Sequence, residues 1–285
     1  MHEQPMRQLF SACRNVFLLM GCAMLCINGA KAEENKGKPA NPLEQELQAA
    51  FVTENAVLTG ITDDGKSPAS QDKLEKVAHI YARIVERNPK NVAALNACAE
   101  YLWRIERRQE AMAKWTAAET LEPGNAVVIN HLGGCHLALG DAKRATEYFE
   151  RAAMLDPGNA LYQFNAGNTS YLFRHEMTTG TDTAEAVMLR SLDHFRRAAK
   201  IDPFNVEYAR AYAETFYMVQ PPDWNGALQA WTHYLEITDQ KDFAYSNLAR
   251  VNIKLGHNKD ARDNLARIEN AKFAPLKEHL LQQMR

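Results

Sequence analysis

Prolines divide this chain at a fixed interval. Asn88-Pro89-Lys90-Asn91, Glu122-Pro123-Gly124-Asn125 and Asp156-Pro157-Gly158-Asn159 stand 34 residues apart. Asp202-Pro203-Phe204-Asn205 follows 46 residues after the third, one period plus an insertion of 12. Proline cannot continue a helix, and it pushes the residue before it out of the helical region. Asparagine two residues later is a good N-cap, accepting from the free N–H groups of the next helix. Each Pro-x-Asn is therefore a stop followed by a start, and a chain divided this way folds as a string of similar helical pieces.

Between the marks the side chains keep phase. Ala111, Ala145 and Ser191 stand twelve residues before a proline; Trp115, Phe149 and Phe195 stand eight before; Ala118, Ala152 and Ala198 stand five before. Val77, Tyr81 and Ile84 hold the same places ahead of Pro89. Spacings of four and three put small, large and small residues on one helical face. The small residues admit a neighbouring helix and the aromatic fills the gap. Half a repeat earlier, Leu132-Gly133 and Gly140 mark the first helix and its end.

With these residues the chain resembles the tetratricopeptide repeat family, whose 34-residue helix–turn–helix units stack. The resemblance implies an all-α fold, a right-handed superhelical solenoid of such repeats. Five units align, at 92–125, 126–159, 160–205, 206–241 and 242–275, so that repeats fill 92–275. The third carries its insertion near His175–Thr183, and the fourth has two extra residues at Pro221-Pro222. Asp239 stands where the fourth unit's proline would be. An incomplete unit is expected over 43–91, with helices near 43–57 and 72–88, and a capping helix over 276–285.

The resemblance also implies a binding surface, because in this family the first helices line a concave groove. The matching positions here are Asn96, Glu100, Trp103 and Arg104, then Asn130, then Phe164, Asn168 and Tyr171. Arg210, Glu214, Tyr217 and Met218 follow, and finally Arg250. Aromatics interleaved with Asn and Arg suit an extended peptide, combining apolar pockets with amide bonds to its backbone. Some members clamp a chaperone's terminal carboxylate with a Lys/Asn/Asn/Lys/Arg set. The fifth and ninth positions here read Asn96/Glu100, Asn130/Gly134 and Phe164/Asn168, so that clamp is missing. The other reading of these residues is an ordinary solvated face whose aromatics belong partly to the core.

The start of the chain reads as a targeting leader over 1–32. Arg7 and Arg14 precede the uncharged apolar run Val16–Ile27, which is short for a bilayer span but suits a signal peptide. Ala30-Lys31-Ala32 offers a small-x-small cleavage site ahead of a polar linker at 33–42. Two alternatives stay open: an uncleaved membrane anchor, and lipidation at Cys22 within Leu19-Met20-Gly21-Cys22. The expected location is periplasmic or extracellular.

A formal net charge of −2, with no basic stripe, gives phosphates no clustered cations to replace their counterions, so nucleic acid is not an expected partner. The nine histidines form no H-E-x-x-H, and His131 and His136, five apart on a helix, diverge too far for a ligand pair. No metal or cofactor is expected. No nucleophile elbow or phosphate-cradling glycine loop appears, and the chain is not expected to be an enzyme. Asn168-Thr169-Ser170 matches a glycosylation acceptor but falls inside a predicted helix. Cys98 and Cys135, the only cysteines beyond the leader, lie in adjacent first helices; they are read as buried free thiols, with a disulfide between them the alternative. The function expected is a protein-interaction scaffold holding a protein or peptide of unknown identity in the groove. The alternative is a structural subunit of an envelope assembly.

Overall fold

A computed structural model describes residues 41–62, 65–178 and 183–284. Among them every regular element is a helix. The leader, most of the linker and part of the 175–183 insertion lie outside the described residues. The described helices gather into two compact units, one ending at Gly140 and one beginning at Asp141.

The first unit holds α1 (Pro42–Thr59), α2 (Pro68–Arg87), α3 (Val92–Arg104), α4 (Arg108–Leu121) and α5 (Ala126–Ala138). The second holds α6 (Ala142–Leu155), α7 (Ala160–Leu172), α8 (Ala184–Ile201), α9 (Val206–Thr215), α10 (Trp224–Ile237), α11 (Lys241–Lys254), α12 (Asn258–Ala266) and α13 (Ala274–Gln282). A short 3-10 turn at Ala271–Phe273 leads into α13. Within each unit successive helices pack on one another, except that the last, α13, packs on α11.

The local reasons are those of the repeat. Asn91, Asn125, Asn159 and Asn205 all cap the helix that follows, each side-chain oxygen accepting a backbone N–H two or three residues on. Glu122 and Asp156, just before their prolines, leave helical geometry with ψ of 81°. Insertion residues separate α7 from α8, and Thr183 restarts the chain by accepting from the Ala186 N–H.

The in-phase side chains form the cores. Trp115, Phe149, Phe195 and Trp231 are at most 2% exposed, and the alanines at 111, 118, 145, 152, 198 and 227 are at 0%. Gly167 lets α7 come close to α8: a Cβ there would meet His194 Cβ and the Phe195 ring at 3.1 Å. Cys98 and Cys135 are free and buried. Burial pushes both thiols up, Cys135 to about 12.

Candidate interaction face

In the first unit the candidate residues of α3 are joined into one polar network. Trp115 Nε1 donates to Asn96 Oδ1 at 2.8 Å, and the Asn96 amide donates to Glu100 Oε1, also at 2.8 Å. The Glu100 carboxylate lies 3.3 Å from His131 Nε2 and 4.0 Å from Arg104. Arg104 pairs directly with Glu54 of α1, which also accepts from the Tyr81 hydroxyl at 2.6 Å. The His131 ring stacks on Trp115 at 4.6 Å and 10°. Trp103 lies against Trp115 at 5.8 Å, with the Arg108 guanidinium 5.5 Å from its ring centroid. Trp103 is half-buried, so it keeps an open edge beside this network.

Two candidates need correction. Phe164 is 3% exposed and sits in the core, 4.8 Å from Tyr208 and 5.6 Å from Phe195, centroid to centroid. The ring is rotated inward because the α7–α8 packing needs that volume, so it is no part of an open face. Asn130 is likewise enclosed, at 3% exposure, and no approaching segment meets it in this conformation.

In the second unit α7, α9 and α11 bring the remaining candidates together. Tyr171 is half-buried, its ring 6.3 Å from Phe195, and Arg174 lies 5.9 Å over it while donating to the Tyr171 carbonyl at 3.1 Å. Arg210 pairs with Glu214 at 2.8 Å and covers the Phe243 ring at 5.2 Å. The Tyr217 hydroxyl bonds Asn247 Oδ1 at 3.1 Å, and Arg250 lies 5.5 Å over its ring. Burial pushes both tyrosine hydroxyls up, Tyr217 to about 12, and Glu214 adds to both shifts. Tyr171 and Tyr212 pack against the Phe164–Phe195–Tyr208 cluster, and Tyr212 and Tyr217 against the cluster around Trp231, so the two tyrosines line adjoining parts of this unit. Asn168 is half-buried and its amide makes no hydrogen bond among the described residues; Met218 is 40% exposed.

Glu54, Tyr81, His131, Arg174, Phe243 and Asn247 were not among the sequence candidates. Asn247 carried a usable signal, since it stands at the sixth position of its unit, one turn ahead of Arg250. Glu54 carried none, because α1 precedes the first full repeat.

Comparison with known proteins agrees with this architecture. Residues 126–159 match the family model of the tetratricopeptide repeat. That segment is a tetratricopeptide repeat, and the chain as a whole is similar to proteins built from such repeats. Its fold is similar to that of YrrB (16% identity, TM-score 0.58, covering 72% of this chain and 99% of that one). It is also similar to pilF of Pseudomonas aeruginosa (15% identity, TM-score 0.54, covering 85% and 100%). Among curated sequences, this repeat protein is 28% identical over 122 residues to human DnaJ homolog subfamily C member 7, covering 42% of this chain and 24% of the relative. It is 30% identical over 95 residues to the wheat Hsp70-Hsp90 organizing protein, covering 33% and 16%. The chain thus spans about a quarter or less of the length of these curated relatives.

Among the described residues no helix is long and apolar enough to cross a membrane. No three metal-ligating side chains gather there either.

Proposed function

We propose that this repeat protein is an interaction scaffold in which the first-helix face of each unit offers a binding surface for an extended segment of a protein partner. The observation that carries the reading is the pairing of half-buried aromatics with arginines at Trp103, Tyr171 and Tyr217. Such rings offer large contact area at little conformational cost, and aromatics and arginines dominate interface energies. YrrB is described as having an unusual peptide-binding site, and the wheat relative as an organizing protein for Hsp70 and Hsp90. These descriptions agree with a binding role in which the chain does no chemistry of its own. The test is to pan a short-peptide library on the native chain and measure the selected peptides against a Trp103→Ala/Tyr171→Ala double variant. Binding should weaken by about 2 kcal/mol or more, the hot-spot range, with circular dichroism and melting unchanged. A variant that folds normally and binds as before would move the working surface elsewhere.

We further propose that the scaffold works outside the cytoplasm, exported by residues 1–32. Intact mass of the native protein reads this directly. Cleavage after Ala32 supports it, an acylated start at Cys22 makes it a lipoprotein, and retention of the whole leader in a soluble cytoplasmic form sinks it.

A further inference from the structure

The two units use their face arginines differently. In the first, Arg104 is taken by Glu54 and Glu100 from within the fold. In the second, Arg210 is taken by Glu214, but Arg174 and Arg250 meet no carboxylate among the described residues. Each of these two guanidinium groups instead lies over a tyrosine ring, Arg174 5.9 Å from the Tyr171 centroid and Arg250 5.5 Å from that of Tyr217. Arg174 spends one N–H on the Tyr171 carbonyl and Arg250 bonds the Tyr217 side chain, and a guanidinium with five N–H donors keeps others for a partner. Asn168, on the same face, adds an amide with no partner among the described residues.

From this arrangement we infer that the α7–α9–α11 face takes an extended acidic segment, whose side-chain carboxylates seat on Arg174 and Arg250 while its backbone meets Asn168. The inference rests on the scaffold reading and names the chemistry of its partner. Charge complementarity selects the occupant: a basic segment would face two unpaired cations, and a neutral one would leave their donors to water. Side-chain carboxylates are required because the two arginines sit on different elements, Arg174 in the turn after α7 and Arg250 on α11. A single chain terminus satisfies one of them only.

The experiment uses the native chain and three fluorescein-labelled peptides. One is an alternating Glu/Ala peptide with both ends blocked, one is its Lys/Ala counterpart, and one is the Glu/Ala peptide with a free carboxy terminus. Fluorescence anisotropy should show the blocked acidic peptide binding at least about tenfold tighter than the basic one. Arg250→Gln should weaken it by a similar factor, Arg250→Lys should retain part of the affinity, and added salt should erode it. Melting curves confirm that each variant is folded. Equal or tighter binding of the basic peptide, an Arg174→Gln/Arg250→Gln variant that binds normally, or no acidic binding at all would overturn the inference. Binding confined to the free-terminus peptide would overturn it too. If library-selected peptides still lose affinity in the Trp103→Ala/Tyr171→Ala variant, the scaffold reading survives that failure; if they do not, both fall together.

Discussion

Glu54 sits on α1 with its side chain 2% exposed, between the Tyr81 hydroxyl and the Arg104 guanidinium. Burial raises its pKa above the ordinary 4.5, and the two partners only partly offset that. An acid whose folded pKa is raised contributes stability that is complete below its unfolded value and is lost as pH rises through the folded one. Glu54→Gln carries no charge at any pH and keeps an acceptor for Tyr81. Its melting temperature should therefore rise relative to the native chain as pH goes from about 4 to about 7. Parallel melting curves across that range would mean that Arg104 compensates the buried charge completely. The same residue shows where sequence reading stops. Trp115 and Phe149 announced their burial through phase with the prolines. Glu54 sits outside the periodic region, and its role comes from Tyr81 and Arg104, 27 and 50 residues away.

On the scale of a helix and its cap, the end of α3 repeats the end of α5 with one difference. Gly140 and Gly256 take φ of 80° and 77° where their first helices close, but at the equivalent place 34 residues before Gly140 stands Glu106, with φ of 63°. Left-handed geometry costs a residue with a Cβ about 1–2 kcal/mol. The ion pair from Glu106 to Arg108 is largely exposed and contributes little in return. Glu106→Gly should thus stabilise the protein by up to about 1 kcal/mol, after the entropy that glycine adds to the unfolded chain. Urea denaturation reads the difference, and a loss of stability would show that Glu106 has a partner in function. Helix stops and starts were legible because proline and asparagine act locally. The rotation of each helix was legible for the core residues and less so for the face. Phe164 aligned with the face by position, yet the volume between α7 and α8 draws it inward. Tyr171, two turns later, stays half open.

Across the molecule, each unit is built by helices packing on their neighbours in sequence, so a disturbance spreads outward from where it starts. Cys98 on α3 and Cys135 on α5 are both 2% exposed within the first unit, and neither ionises readily there. A thiol in that state is invisible to an alkylating reagent until its helix pulls away. The two cysteines are therefore a pair of clocks already wound into the chain. Under native conditions with iodoacetamide in excess, peptide mass mapping should find both slowed by one shared factor relative to the urea-unfolded chain, set by the opening of the unit. Two different factors would say that α3 and α5 open separately. A rate equal to that of the urea-unfolded chain would say that the thiols are already within reach.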